Sequence, residues 1–435
     1  MDARPRSASL VRAVTLLGAV ALVVGNMVGT SIYTLPATLA RDVGPLAIAS
    51  WIATAAGYLF VALVYASLGA RYPAVGGPYV FAREAFGPFA GFQTAWTYWC
   101  SATIGNAGIV TSVVAYATGF SARLAESVPL QFALAQALLW GLCALNVLGV
   151  RQSARLQIAI VFVNLAALLV VSAAALAKLD ARNFEPLAPR GYGSIAAGVA
   201  LVIWAYSGVE SATVPAEEVQ RPEHTIGRAT LAGYAIATLA FVLVAVAVAG
   251  ALPNAEIASS ARPIALVAER ALGTAGAAVV GVAAIAAGLG TLNGWVLMVG
   301  RIPVGAARDG VFFRALARVH PRFGTPHVAL VAGTAVSSAM LLLYFRKSLL
   351  GVFQTIVLLS VLTTLVPHLF AAAAELVLSR RGAYTPRERH RAMIVAPLAF
   401  AFLAYAVYGV GAEIAAMGAA LMLAGVPLYA FFRRR

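Results

Sequence analysis

Residues 23–36 read VVGNMVGTSIYTLP, and residues 202–215 read VIWAYSGVESATVP. Each stretch lies inside an apolar run long enough to cross a bilayer. Each interrupts that run where a helix should be most uniform. In the first, Gly25 and Gly29 bracket Asn26, and Pro36 follows. In the second, Gly208 stands close to Glu210, and Pro215 follows. Glycine permits non-helical backbone, and such backbone survives at membrane depth only where protein or a cavity shelters it. A break leaves free carbonyls on the helix that stops and free N–H groups on the helix that starts. The carbonyls suit an ammonium group. The N–H groups, at the positive end of the helix dipole, suit a carboxylate.

The rest of the chain is what a membrane requires. Of 435 residues, 61% are hydrophobic and 11% are charged, against about 25% charged in a soluble domain. The apolar residues fall in runs of roughly 20, the length that spans a bilayer core. We place spans near 12–40, 44–70, 87–119, 129–149, 153–177, 193–216, 228–251, 264–307, 326–345, 348–379, 392–409 and 412–432. The chain is therefore expected to be an all-α polytopic membrane protein of about twelve transmembrane helices. Residues 1–435 form one transmembrane unit. Spans eight and ten are long, so tilt or cytoplasmic extension is expected.

The net charge of +15 does not indicate nucleic acid, because the basic residues sit in short clusters between apolar runs and make no continuous basic face. They read instead as topology markers. With a cytoplasmic N-terminus, the inside segments hold 22 of the 31 Lys and Arg residues and the outside segments hold 9. Inside clusters include Arg314, Arg318 and Arg322, then Arg380, Arg381, Arg387, Arg389 and Arg391, then Arg433, Arg434 and Arg435. This asymmetry places both termini in the cytoplasm. The basic start MDARPRSASLVR precedes an apolar run without an A-x-A-like cleavage site, and reads as a retained first helix. Cys100 and Cys143 both lie in apolar runs and read as buried free thiols.

Interruptions five spans apart, in spans one and six, point to a transporter built from inverted repeats, with its site at the bilayer midplane. Close helix packing is the other use of such glycines. Further motifs carry a resemblance: GNMVGTSIYTLPATLA at 25–40, GGPYVFAREAFGPFAGFQT at 76–94, YWCSATIGN at 98–106 and WAYSGVESA at 204–212. LNGWVLMVGR at 292–301, AARDGVFFRALARV at 306–319 and LVP at 365–367 continue it. In these motifs the chain resembles the amino acid–polyamine–organocation superfamily, and within it the bacterial basic amino acid/polyamine antiporters. The resemblance implies a five-plus-five inverted-repeat core of the leucine-transporter type plus two extra helices. Repeat one would occupy about 12–177, repeat two about 193–379, and the extra helices about 392–432. It also implies a bacterial inner membrane location and a possible homodimer.

Site residues follow from the same resemblance. Thr30 and Ser31, just after the first break, would hold a substrate carboxylate, although the family carries Gly-Ser-Gly where this chain has Gly29, Thr30 and Ser31. The other use of such hydroxyls is a bond back to their own helix. Met27, Trp204 and Ser207 would offer backbone carbonyls to an α-ammonium, and Trp204 would also gate the site. Trp295 matches a tryptophan that packs on the substrate side chain in arginine/agmatine antiporters, and an indole face attracts a cation. Asn106 and Ser360 match positions lining the side-chain pocket there; helix-to-helix gluing is the alternative for such polar residues. Ile109 and Ala102 replace Met and Cys.

A carboxylate inside a span is expensive and usually functional. By resemblance Glu210 is a gating or proton-sensing group, with Tyr98 as its partner. His368 stands where those antiporters carry tyrosine, and reads as a buried neutral histidine rather than a relay. Glu217 and Glu218 read as solvated, paired with Arg221 or Arg228. Asn164 occupies the place in span five where proton-coupled members often carry a lysine, which favours exchange without an intrinsic ion.

The expectation is a secondary active transporter that exchanges amino acids or amines by alternating access, with a small amino acid or amine and the bilayer as its partners and no cofactor or metal. A proton-coupled permease for neutral amino acids is the alternative, and a sensor without flux is another. Intramembrane enzymes need Asp pairs, His/Glu clusters or Ser–His arrangements. The spans hold neither paired Asp nor an H-E-x-x-H motif.

Overall fold

The computed structural model describes residues 10–345, 349–381 and 384–433, with side chains outside 343–357. Residues 1–9, Arg434, Arg435 and the start of the tenth expected span lie outside the described residues. The helices are α1 (Leu16–Met27), α2 (Thr30–Asp42), α3 (Ala47–Arg71), α4 (Pro78–Phe86), α5 (Pro88–Ala117), α6 (Ala122–Glu126), α7 (Val128–Leu148) and α8 (Val150–Leu176). They continue as α9 (Ser194–Tyr206), α10 (Pro222–Ala251), α11 (Asn254–Ser259), α12 (Pro263–Arg308), α13 (His327–Phe345), α14 (Leu349–Arg381), α15 (Pro386–Val410) and α16 (Ala412–Arg433).

Local chemistry sets the ends. Thr15 caps α1 by accepting from the Gly18 N–H at 3.2 Å. Ser127 caps α7, and Thr385 and Glu388 form a reciprocal capping box at α15. Proline opens α4, α5, α10, α12 and α15, where its missing N–H loses nothing.

Among the described residues, ten helices or helix pairs are long and apolar enough to cross a membrane, and α9 and α13 are shorter apolar helices at the sixth and ninth expected spans. The all-helical fold therefore agrees with the sequence reading. Burial sorts the helices. The apolar windows of 16–42 and 88–120 are 83% buried inside the protein, while that of α16 is 17% buried. The outer helices turn Phe162, Leu239, Tyr408 and Leu423 outward, as a lipid-facing surface requires.

Two elements differ from expectation. Span eight is one long helix, α12, with a kink at Gly273, whose φ is +76°, that sets off residues 263–272 at its N-terminal end. Span six does not resume as an α-helix. After Tyr206 the chain runs through i→i+3 turns, with Val209 N–H bonded to Tyr206 O, Ser211 to Gly208 and Thr213 to Glu210.

The third correction concerns Glu217 and Glu218. Neither pairs with Arg221 or Arg228. Glu218 is fully buried and takes a bidentate pair from Arg301 of α12, Nε to Oε2 at 2.8 Å and Nη2 to Oε1 at 2.9 Å. Its carbonyl accepts from the Ala13 and Val14 N–H groups, and Val14 lies in a parallel bridge with Val219. Glu217 accepts from Arg308 at 2.8 Å and from the Val75 N–H at 3.3 Å. These contacts gather the chain before α1, the loop before α4 and the end of α12 at one end of the bundle.

A buried charge left without its partner is costly. Arg301→Met should lower stability by about 3–5 kcal/mol, and Glu218→Leu with Arg301→Met should recover most of it. Thermal unfolding in detergent distinguishes the two. If the single variant is no worse than the double, the pair does not hold this end together.

Candidate functional site

The first interruption separates α1 from α2 at Val28 and Gly29. Gly29 is required by close approach: a Cβ there would lie 1.6 Å from Thr291 Oγ1 of α12. That hydroxyl donates to the freed Gly25 carbonyl at 2.8 Å. The Asn164 amide of α8 donates to the Val28 carbonyl at 2.6 Å, and its Oδ1 accepts from Tyr33 OH at 2.7 Å. Tyr116 OH donates in turn to the Tyr33 carbonyl at 2.9 Å. The start of α2 has no side-chain cap, so its first N–H groups face the break without an intrahelical acceptor.

The second interruption lies against the first. Gly208 has φ +117°, and a Cβ there would come within 2.8 Å of Asn26 Cβ. Asn26 Nδ2 donates to Ser211 Oγ at 2.7 Å and links the two breaks directly.

Between the breaks and helices α5, α12 and α14 lies a narrow cavity. Asn26, Thr30 and Ser31 line it from the first break, Trp204 and Ser207 from the second, and Thr291 and Trp295 from α12. Ser101, Gly105 and Ile109 line it from α5, and Ser360 and Thr364 from α14. Thus Thr30, Ser31, Trp204, Ser207, Trp295 and Ser360 share one cavity, as the sequence reading expects.

Met27 and Asn106, expected at the site, are not among the residues that line the cavity. Both are buried. The Met27 carbonyl accepts from Ser31 Oγ at 3.1 Å, so the Ser31 hydroxyl bonds back toward α1. Neither polar atom of the Asn106 side chain has a hydrogen-bond partner among the described residues. Asn26, Ser101, Thr291 and Thr364 were not singled out from sequence. For Ser101 a signal existed: 101, 105 and 109 are four residues apart and share one helix face.

Glu210 is fully buried and stands outside the cavity lining. Its Oε1 accepts from Tyr98 OH at 2.5 Å and its Oε2 from the Gly208 N–H at 3.0 Å. Tyr98 presents its ring edgewise to Trp295, with centroids 6.3 Å apart. A short chain of contacts therefore joins the carboxylate to the cavity wall. On the other side, His368 Nε2 lies 3.8 Å from Glu210 Oε2, and its Nδ1 is 2.8 Å from Tyr65 OH. His368 is buried, as expected.

A multi-pass helical bundle with a small polar cavity between two broken helices defines a membrane carrier for a small solute. The chain belongs to the amino acid permease family of the amino acid–polyamine–organocation superfamily, whose family model matches residues 14–426. It is 28% identical to a putative arginine/ornithine antiporter of Bacillus subtilis, over 94% of this chain and 95% of that one. It is 31% identical to the cadaverine/lysine antiporter of Escherichia coli, over 83% of each. It is 27% identical to a putrescine transporter of Haemophilus influenzae, over 93% of this chain and 94% of that one.

Because Gly208 combines positive φ with contact against Asn26, Gly208→Ala should cost about 1–3 kcal/mol in backbone strain and sharply reduce transport. Gly141→Ala, at a helical glycine with nothing near its Cβ, serves as the control. Transport rate and melting temperature in detergent check both. Unchanged transport in Gly208→Ala would show that the two breaks do not need this approach.

Proposed function

We propose that this protein exchanges a basic amino acid for another basic amino acid or its decarboxylated amine. The observation that carries this reading is the cavity itself. One end adjoins the uncapped start of α2, whose N–H groups and dipole suit a carboxylate. Trp204 and Trp295 supply aromatic walls that accept methylenes and a cation. The relatives named for arginine, ornithine, lysine, cadaverine and putrescine support the same class of substrate.

Alternating access would follow from rocking of the two repeats, about 12–177 and 193–379, around the cavity, with the extra helices at about 392–432. Tyr98 and Glu210 would couple cavity occupancy to the second break. Asn164 supports exchange without an intrinsic ion, since a neutral amide already serves the Val28 carbonyl. The arginine-rich end would face the cytoplasm. Proton-coupled uptake is the second reading, favoured by one observation: His368 faces Glu210 within the buried cluster.

Counterflow in proteoliposomes at clamped pH and zero potential tests the proposal. Labelled basic amino acid should accumulate only when a basic amino acid or diamine is loaded inside. Trp295→Leu should raise KM about tenfold, the order expected for a lost cation–π contact. Accumulation driven by an imposed proton gradient without internal load would establish the second reading instead. Glu210→Gln should flatten the pH dependence of exchange; an unaltered profile would remove Glu210 from gating.

A further inference from the structure

A cleft of about 1070 Å³ opens at the end of the bundle that the Glu218–Arg301 pair fastens. Its walls include Arg12 from the chain before α1, Glu217 beyond span six and Arg308 at the end of α12. Arg314 and Arg318 come from the loop that follows α12, and His327 from the start of α13. Glu217 is the one carboxylate in this lining, and Arg308 Nη1 lies 2.8 Å from each of its oxygens. Among the described residues, no carboxylate lies within ion-pair distance of Arg12, Arg314 or Arg318. His327 adds a buried ring nitrogen, Nδ1, with no hydrogen-bond partner among the described residues. Three unpaired guanidinium groups and one unpartnered nitrogen therefore converge on one space.

The preference for arginine on the cytoplasmic side explains why such residues lie at this end. It does not require them to gather from separate segments around one cleft, or to stay unpaired there. Their charge also repels the cationic cargo proposed above, so the cleft is not its resting place. From this geometry we infer that the cleft binds a soluble anion of two or more linked phosphate groups, such as pyrophosphate or the phosphate chain of a nucleotide, and that the bound anion holds this end of the bundle closed. The inference takes from the antiporter reading only its transport readout.

The charge balance selects linked phosphates. A single phosphate carries about 1.5 to 2 negative charges near neutral pH, too few to answer three guanidinium groups. A phosphate chain supplies both the charge and the span. Arginine meets phosphate oxygens through paired donors in a rigid fork, and His327 donates wherever Nδ1 carries the ring hydrogen. An anion bridging Arg12 to Arg314 and Arg318 ties the chain before α1 to the loop after α12. The buried pair already joins the same region, since the Glu218 carbonyl accepts from the Ala13 and Val14 N–H groups. A lipid headgroup is the other source of phosphate. The lining comes from loops and helix ends, which favours the aqueous source.

The test is equilibrium dialysis of labelled pyrophosphate, without divalent metal, against the full chain in nanodiscs of phosphatidylcholine. One pyrophosphate should bind per chain, and added potassium chloride should weaken it. Arg12→Ala, Arg314→Ala and Arg318→Ala should each raise Kd about fivefold, between the worth of an exposed ion pair and that of a charge-assisted hydrogen bond. His327→Phe, which keeps a ring, should raise it about threefold. Arg387→Ala removes the same charge outside the cleft lining and should change Kd less than about twofold. On the arginine-rich side of proteoliposomes, pyrophosphate should slow counterflow of labelled ornithine about threefold or more, and the triple arginine variant should be insensitive. If citrate or sulfate binds as tightly, or Arg387→Ala weakens binding as much as the cleft variants, the site is a diffuse positive surface and the inference fails. If phosphatidylglycerol in the nanodisc displaces pyrophosphate, the phosphate is a lipid's and the soluble source is overturned. Binding that leaves counterflow unchanged overturns the closing role. If ornithine and other basic amino acids fail to exchange even without pyrophosphate, the antiporter reading fails, and dialysis still decides the site.

Discussion

Hydrocarbon offers no hydrogen bonds, so a backbone group freed inside a bilayer must find its partner in the protein. The first break frees the carbonyls of Gly25 and Val28, and the fold answers with Thr291 from α12 and Asn164 from α8. Asn26 then ties this break to the second through Ser211. Of the two donor helices, α12 also lines the cavity, through Thr291 and Trp295, while α8 stands outside the lining. Remove those donors and the interruption becomes a cost of several kcal/mol with nothing to offset it. The N–H groups at the start of α2 are the exception: they have no side-chain cap, and Thr30 and Ser31 there line the cavity.

Charge is handled by the same rule at two depths. Glu210 is fully buried, yet it is bonded by Tyr98 and by the Gly208 N–H. Glu218 is equally buried and is matched by the fork of Arg301, a geometry that lysine could not reproduce. The first cluster sits against the cavity wall through Tyr98 and Trp295. The second fastens the end of the bundle where the chain before α1 meets span six. One carboxylate is therefore connected to the cavity wall, and the other joins separate segments at one end of the bundle.

Much of the fold was legible because membrane helices announce themselves by length and hydropathy, and because a glycine-flanked break in an apolar run has few other uses. Thr30, Ser31, Trp204, Ser207, Trp295 and Ser360 do meet in one cavity. Tyr98 does bond Glu210. The failures have a common origin. Glu218 sits near the end of a span and carries a charge, so it read as solvated, but its partner Arg301 is 83 residues away. The break at Gly208 implied a helix that resumes beyond it, but the chain continues in i→i+3 turns, with Gly208 packed against Asn26 of the first break.

The sequence by itself determined the all-helical membrane class, the span pattern, the two interruptions and the family. These depend on local composition and on spacing within single segments. Only the tertiary structure decided which donors serve the broken backbone, which carboxylate is paired and which is bonded to tyrosine, and which hydroxyls face one another. Asn26 meets Ser211 across 185 residues, and Ser101 meets Thr364 across 263. Such contacts are fixed by how whole helices pack. No periodicity within one helix encodes which face of another it will meet.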